Sequence, residues 1–422
     1  MRSYDRDFSK GTALQPNYAQ GQFQVDFEQR INFEALRKDR VSKVRALMKE
    51  SDLDAVVTWR IENVRYLTSA RLMLWPLHGG PSHYCTVLPR DHDPILIISG
   101  GDYERCRSTM PWIRDIYPIP IMEEDGLIES AVSTTFKQVF ERHALEKGRI
   151  GLDALSFSIF ESYRRNFPKA NFISCEMLLK NARMRKTSDE IRLINEATAM
   201  TEAGLASAIE KIKPGVTEYE VASEYMRVIF AAGAETLHTA QPYVTSGEHL
   251  SPPFRLATDK RIRYGDLVFI DNGACFNGYF SDMGRTVICG KASEKQREIY
   301  RVVYESLMAS FKAVRPRAKT SDVARACRER AAEFGYDKHF LLLFIGHGIG
   351  VAPAEPPFIG EPTVPGAREV ELEPGMVIAL EPLVNVPGVK GGGGVRIEDI
   401  LVVTEAGSEV LSRLPYDEQL LK

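Results

Sequence analysis

The chain has 422 residues, of which 44% are hydrophobic and 26% charged, as in an ordinary globular protein. Its 54 basic and 57 acidic residues give a net charge of −3, so no overall positive field favours nucleic acid as a partner. No apolar run approaches the roughly 20 residues of a membrane-spanning helix, which argues against a membrane partner. The six cysteines form no CxxC pair and the N-terminus lacks an apolar signal core, which together predict a reduced, cytoplasmic protein.

The first part of the chain predicts an α/β domain over residues 1–175. Residues 1–25 are polar and without periodicity, and they predict an arm. A helical pattern of apolar residues runs from Phe33 to about Glu50, and another covers 127–147. Short apolar runs bounded by turn residues predict strands at 55–59, 84–88, 95–99 and 150–153.

Residues 176–422 predict a second domain. Helical periodicity covers 177–212 and 293–336, and Thr217 with Glu220 has the spacing of a capping box. The strand-like segments of this domain are separated by Gly or Pro, and they predict an α+β fold in which helices cover a curved, mostly antiparallel sheet. The glycine run at 391–394 predicts a flexible turn between two strands.

Five potential metal ligands lie in the second domain, each in a strand or turn context: Asp271, Asp282, His347, Glu381 and Glu398. An ionised carboxylate beside an apolar strand is costly unless it is paired or bound to a metal ion. Four carboxylates and one imidazole without a thiolate favour Mn, Fe, Co or Zn, and they suit two divalent metal ions. Because each carboxylate alone is more often a turn residue, a helix cap or a surface charge, the prediction depends on the set.

The motifs that contain these ligands resemble those of the pita-bread metallopeptidase superfamily, which includes aminopeptidase P, prolidase, methionine aminopeptidase and creatinase. They read DNGACFNGYFSDMGRT, GHGIGVAPAEPP, ALEP and VRIEDILVVTEAG, while ENVRYLTS resembles the creatinase-type N-terminal domain. The resemblance implies a creatinase-like N-terminal α/β domain followed by a pita-bread catalytic domain. It also implies that Asp282 and Glu398 bridge two metal ions, that His347 and Glu381 bind one of them, and that Arg396 aligns the carboxylates at the substrate site.

Two histidines that the superfamily's peptidases place near the substrate are replaced in this sequence. Phe254 stands at the first position and is expected to line the substrate pocket, and Ala354 stands at the second. The candidate catalytic groups are Glu381, which could carry a proton as well as bind metal, together with His249 and Tyr279. His238 is a further histidine that could take the place of a missing imidazole.

The segments VRYLTSARLMLWPLHGGPSHY and LSRLPYDEQLL resemble the metal-dependent dimethylsulfoniopropionate lyase of the DddP type. That lyase has a base aspartate where this sequence has Pro353, so we expect a related scaffold with different chemistry. The sequence therefore predicts a metal-dependent hydrolase that acts on a dipeptide or a small amide-like metabolite. A C–S lyase with Tyr243, Tyr279 or His249 as the base is the alternative, and a non-catalytic binding module is a third hypothesis.

A loop of the N-terminal domain, between Arg71 and Tyr84, contains Trp75 and His78. In this superfamily the N-terminal domain often reaches into the active site of the partner subunit. Aromatic and histidine side chains on a loop are common ligand contacts, so we expect Trp75 and His78 to bind substrate in a homodimer. Packing within the loop's own domain is the competing interpretation.

Overall fold

The computed structural model describes residues 31–71, 83–250, 255–340, 344–363 and 368–422. The chain divides into two compact units, Met1–Arg183 and Met184–Lys422. The predicted domain boundary at residue 175 lies directly before the helix Glu176–Met184. Helices and sheets are mixed in both units, which confirms the predicted fold class.

Six strands of the described residues form one mixed sheet in the first unit, in the order β4-β3-β2-β1-β5-β6. The strands are β1 Ala55–Thr58, β2 Tyr84–Pro89, β3 Ile95–Ser99, β4 Ile116–Ile119, β5 Arg149–Leu152 and β6 Asn171–Ser174. The helices are α1 Phe33–Glu50, α2 Ile61–Thr68, α3 Gly100–Thr109, α4 Asp125–Ala131, α5 Lys137–Arg142, α6 Phe157–Asn166 and α7 Glu176–Met184. A π-helical turn, Val132–Phe136, divides the helix that the sequence predicts at 127–147.

One buried carboxylate, Asp153, lies directly after β5 in this unit. It accepts hydrogen bonds from the backbone N–H groups of Trp59 at 2.6 Å and Arg60 at 3.0 Å, and from Nδ2 of Asn63 at 2.9 Å. Burial raises the pKa of Asp153 to about 7, although these three donors act to lower it. The carboxylate therefore joins the end of β5 to the start of α2.

The second unit contains four small sheets, and every strand pairing among its described residues is antiparallel. The helices are α8 Ser188–Lys211, α9 Glu218–Ala231, α10 Glu294–Ala313, α11 Thr320–Glu333 and α12 Glu418–Leu421. The strands are β7 Thr236–Leu237, β8 Tyr243–Ser246, β9 Leu267–Asn272, β10 Ala274–Phe276, β11 Tyr279–Phe280, β12 Met283–Ile288, β13 Gly346–Gly348, β14 Glu355–Phe358, β15 Val377–Leu380, β16 Leu383–Asn385, β17 Gly394–Arg396, β18 Asp399–Thr404 and β19 Gly407–Val410. Within the part of the chain that is described, no helix has both the length and the apolar character to cross a bilayer.

Two long helical predictions, 177–212 and 293–336, each correspond to a pair of helices. Thr187 interrupts the first, because it caps α8 with a capping box in which Glu190 reciprocates. The segment between Ala313 and Thr320, which includes Pro316, interrupts the second. The predicted capping box of Thr217 and Glu220 is confirmed at the start of α9.

The strand ends that carry charged residues meet because of the antiparallel registers. Asp271 in β9 pairs with Gly284 in β12, so it lies beside the start of that strand. Leu380 at the end of β15 pairs both with Gly346 in β13 and with Asp399 at the start of β18. The residues next to these positions therefore come together at one place in the unit.

The glycine run between β16 and β17 is a packed turn rather than a free one. A Cβ added at Gly394 would lie 1.9 Å from the carbonyl oxygen of Leu250, and one at Gly391 would lie 2.1 Å from that of Gly265. Gly391 also has a φ of +77°, which disfavours other residues. Glycine at these positions therefore lets β17 lie close enough to bring Arg396 and Glu398 to the same strand ends.

Candidate metal centre

A cavity of about 340 Å³ lies at these strand ends in the second unit. Its wall contains all five predicted ligands, Asp271, Asp282, His347, Glu381 and Glu398, together with Arg396. The remaining polar wall residues are His238, Thr239 and Tyr243, and the apolar ones are Phe344, Ile345, Phe358 and Leu383. The structure thus brings together residues that lie far apart in the sequence, since Asp271 and Glu398 are separated by more than half of the length of the unit.

The imidazole of His347 lies between two of the carboxylates. Its Nε2 is 3.5 Å from Oδ2 of Asp282 and 3.5 Å from Oε1 of Glu381. Asp282, His347 and Glu398 each offer one ligand atom, and these three atoms lie within 4.8 Å of one another. A single ion at this point would contact donors from three different strand ends.

Arg396 is the one guanidinium in the described wall of the cavity, and it is buried. Its Nη2 is 2.8 Å from Oε2 of Glu381, and its Nη1 is 3.5 Å from Oδ2 of Asp271. Its backbone N–H donates to Oγ1 of Thr286, whose hydroxyl in turn donates to the Arg396 carbonyl. This anchoring to β12 lets the guanidinium hold two carboxylates in a fixed orientation.

The carboxylates are crowded and incompletely satisfied. Burial, with the charge of Asp282, raises the pKa of Asp271 to about 8. Burial, with the charges of Asp282 and Asp271, also raises the pKa of Glu398 well above its usual range. Oδ1 of Asp282 and both carboxylate oxygens of Glu398 are buried without a hydrogen-bond partner. Buried oxygens of this kind fit a divalent cation, which would neutralise the charge and occupy the unused lone pairs.

His238 is a wall residue that the sequence identified only as one of several histidines able to replace a missing imidazole. Its Nδ1 is 2.8 Å from Oδ2 of Asp282, although the two groups are not aligned for a regular hydrogen bond. Burial acts to lower the pKa of His238, but the nearby Asp282 carboxylate outweighs it and raises the pKa to about 9. His238 lies directly after β7 and five residues before β8, and its position in the sequence gives no signal for this contact, which depends on how β8 pairs with the strand that contains Asp271.

Two predicted catalytic residues lie elsewhere in the second unit. Tyr279 is buried, and its hydroxyl donates to Oε1 of Glu190 at 2.9 Å. His249 lies in a short 3₁₀ turn, with its Nδ1 3.6 Å from Oε1 of Glu218. Neither residue belongs to the described wall of the cavity, so the geometry gives no support to a catalytic role for them. Tyr279 is suggested by its place within a ligand motif, and His249 by its closeness in sequence to Phe254, which replaces a family histidine.

Three further predicted contacts, Trp75, His78 and Phe254, lie outside the described residues. Ala354, at the position of the second missing histidine, is exposed. The next residue, Glu355, is buried and pairs with Nζ of Lys186 at 3.0 Å. That buried pair connects the start of α8 to β14, the strand beside His347.

The sequence matches the model of metallopeptidase family M24 over residues 192–405, and that of the creatinase/prolidase N-terminal domain over residues 40–185. The chain belongs to metallopeptidase family M24. It is 30% identical over 379 residues to the Xaa-Pro dipeptidase of Pyrococcus furiosus, a match that covers 89% of this chain and 98% of that protein. The solved prolidase of Pyrococcus horikoshii OT3 superposes with a TM-score of 0.74 at 28% identity, over 90% of this chain and 99% of that one. The Xaa-Pro dipeptidase of Bacillus anthracis gives 0.76 at 25% identity, again over 90% and 99%.

Membership of family M24 confirms a creatinase-like N-terminal domain followed by a pita-bread catalytic domain. It also confirms the prediction of a metal-dependent hydrolase of the Xaa-Pro peptidase type, and of divalent metal as the cofactor. The relatives named above are dipeptidases, and they give no support to the lyase alternative.

Proposed function

We propose that the protein hydrolyses the amide bond of a dipeptide, or of a similarly small amide, with two divalent metal ions in the cavity. The observation that supports this proposal is the convergence of four carboxylates and His347, offset by Arg396. The donor set favours Mn, Fe, Co or Zn. A volume of about 340 Å³ suits a small substrate rather than a protein chain.

In this proposal Asp282 and Glu398 hold both ions, while Asp271 holds one and His347 with Glu381 the other. When bound, the ions polarise the substrate carbonyl and lower the pKa of water. Arg396 keeps Oε2 of Glu381 in place, and Oε1 remains near His347. Glu381 is the proposed carrier of the proton to the leaving nitrogen, because its carboxylate lies in the cavity wall.

The apolar side of the cavity is the proposed site for a substrate side chain. The rings of Phe344 and Phe358 lie with centroids 5.2 Å apart, and Leu383 completes this side. Such a wall suits a compact apolar group, including the ring of proline, and the named relatives are Xaa-Pro dipeptidases. Arg396 in the wall, and Phe254, Trp75 and His78 from the sequence alone, remain proposed substrate contacts.

Phe254 and Ala354 replace two histidines of the family peptidases, and this affects the expected rate of hydrolysis. Loss of a proton-transfer group typically lowers a rate by about 10²- to 10⁴-fold. We therefore expect Xaa-Pro dipeptides to be cleaved slowly compared with enzymes that have both histidines. A turnover near the roughly 10 per second of a typical enzyme would mean that other groups have replaced them.

The test is a substrate panel with metal-stripped protein reloaded with Mn²⁺ or Co²⁺. The panel contains Xaa-Pro dipeptides, dipeptides without proline, creatine and dimethylsulfoniopropionate. We expect metal-dependent release of an amino acid from at least one amide, and its loss in Asp282→Asn but not in Asp259→Asn, an exposed control. Cleavage of dimethylsulfoniopropionate alone would contradict the proposal and favour lyase chemistry.

We also propose a homodimer and a cytoplasmic location. The six cysteines are all buried and none of them forms a disulfide, which supports a reducing compartment. The loop between Arg71 and Tyr84 supports the dimer through its sequence only. Sedimentation of the protein at micromolar concentration, where a dimer is expected and a monomer would contradict it, is the measurement.

A further inference from the structure

The loop that carries His238 is fixed by the strand that carries the ligand Asp271. The backbone N–H of His238 donates to the carbonyl of Gly273 at 2.8 Å and to Oδ1 of Asn272 at 3.2 Å. Directly before it, β7 pairs with β10, with Leu237 opposite Ala274. The position of the His238 backbone is therefore set by the residues that follow Asp271 in the chain.

Asn272 strengthens this connection from its side chain. Its Nδ2 donates to Oγ1 of Thr239 and, at 3.4 Å, to the carbonyl of Gln241. The amide is buried, so its hydrogen bonds are made away from competing water. One side chain thus holds both ends of the short segment that begins with His238.

The imidazole of His238 lies on one oxygen of Asp282 only. Nδ1 is 2.8 Å from Oδ2, the same oxygen that lies 3.5 Å from Nε2 of His347. The other oxygen, Oδ1, is buried and has no hydrogen-bond partner. Both imidazoles therefore lie beside the same oxygen of the carboxylate, and the other oxygen has no partner.

We propose that His238 is a positioning residue: its Nδ1 lies 2.8 Å from Oδ2 of Asp282 and becomes aligned as a hydrogen-bond donor to that oxygen when Asp282 binds metal, which fixes the orientation of the carboxylate. This role rests on the proposed function, because it requires that Asp282 binds metal. A group that orients a ligand in this way typically changes metal affinity by about 10- to 100-fold. The role is specific to Nδ1, which gives it a chemical signature.

Substitution of His238 by asparagine or by glutamine shows which of the two ring nitrogens is required. The amide nitrogen of asparagine lies near the place of histidine Nδ1, whereas that of glutamine lies nearer to Nε2. His238→Asn should therefore retain metal affinity within a few-fold of the wild type. His238→Ala and His238→Gln should bind Mn²⁺ about 10- to 100-fold more weakly.

The experiment is calorimetric titration of metal-stripped protein with Mn²⁺, combined with Co²⁺ absorption spectra and thermal unfolding. His339→Ala is the matched control, because His339 is a partly buried histidine of the same unit that contacts the Asn385 carbonyl outside the cavity wall. The control should bind metal as the wild type does. Equal affinity in His238→Ala and the wild type would overturn the positioning role alone.

Two other outcomes are equally informative. In the first, the Co²⁺ spectrum of His238→Asn differs from that of the wild type, and its Mn²⁺ affinity is as low as that of His238→Ala. This result would overturn the positioning role, because His238 would then be a direct ligand. If the wild-type protein binds neither ion, the proposed function and this role both fail. The wild-type titration therefore separates failure of the role from failure of the function.

Discussion

Glu398 and Asp399 are neighbours in the chain, and both are buried, yet they lie in opposite environments. Glu398 faces the cavity, where neither carboxylate oxygen has a hydrogen-bond partner. Asp399 is fully satisfied: Oδ1 accepts from Nη2 of Arg285 at 2.7 Å and from Oγ of Ser412 at 2.6 Å, and Oδ2 accepts from the hydroxyl of Tyr416 at 2.9 Å. Because successive side chains of a strand point to opposite faces, one strand start serves two separate clusters.

The difference between the two clusters is the source of the compensating charge. Arg285, Asp399, Ser412 and Tyr416 form one cluster, the Arg285 cluster, in which the protein itself provides the cation. Arg285 also donates to the carbonyl groups of Glu398 and Leu414. In the cavity, four carboxylates lie around the one guanidinium of Arg396, and burial together with the neighbouring negative charges raises the pKa of Asp271 and of Glu398. A buried charge stabilises the fold where the chain provides its partner, and it prepares a binding site where the chain does not.

The largest expected effect is a difference in the free energy of unfolding between a variant of the Arg285 cluster and a variant of the cavity. Asp399→Ala should lower the free energy of unfolding by about 3–5 kcal/mol, because it leaves Arg285 buried and uncompensated. Glu398→Gln should be neutral or stabilising in metal-free protein, because it removes one of the crowded charges. Urea unfolding of both variants without metal is the measurement, and equal destabilisation would remove the distinction between the clusters.

Metal addition should act on one cluster only. At a concentration of 100 times Kd, a divalent ion should stabilise the wild type by about 2.7 kcal/mol. Asp282→Ala and Glu398→Ala should lose this stabilisation and both ions, since each residue is proposed to bridge. Elemental analysis and unfolding with and without Mn²⁺ are the measurements, with Asp399→Asn as the variant that should retain the metal response.

Substitution of Arg396 tests whether the guanidinium in the cavity orients the metal ligands or stabilises the fold. Arg396→Lys keeps the charge but cannot contact Glu381 and Asp271 through two nitrogens at once. We expect metal affinity to fall about 10- to 100-fold, with a much smaller change in stability than in Asp399→Ala. Unchanged Mn²⁺ affinity by calorimetry would contradict this assignment.

Asp153, in the other unit, provides a third buried carboxylate, surrounded by neutral donors. Its pKa of about 7 lies above its usual 3.8, so the folded protein binds more protons than the unfolded chain between these values. Its contribution to stability is therefore complete below about pH 4 and is lost as the pH rises through 7, with a slope of at most about 1.4 kcal/mol per pH unit. Between pH 4.5 and 8, the unfolding midpoint of the wild type should fall relative to that of Asp153→Asn, whose side chain does not titrate. A constant difference between the two midpoints would contradict this prediction.

The sequence identified the candidate ligands that line one cavity, because each carboxylate interrupts or ends an apolar strand, where an unpaired charge is costly. The antiparallel order that brings Asp271, Asp282 and Glu398 together followed from the family resemblance. The contact of His238 with Asp282 could not be predicted in this way, because it depends on a tertiary turn that Asn272 builds. The geometry gives no support to Tyr279 as a catalytic residue, since its hydroxyl is directed to Glu190 in α8, a tertiary contact that the sequence does not reveal.

The segment from Leu411 to Asp417 has a consequence for synthesis of the protein. It supplies Ser412, Leu414 and Tyr416 to the Arg285 cluster, and Oδ2 of Asp417 accepts from the N–H of Ile288 at 2.9 Å. On the ribosome, β12 is translated long before this segment, so a nascent chain holds Arg285 without these partners for much of its elongation. The strand that follows Asp282 can therefore reach its final packing only after Leu411 to Asp417 have been translated.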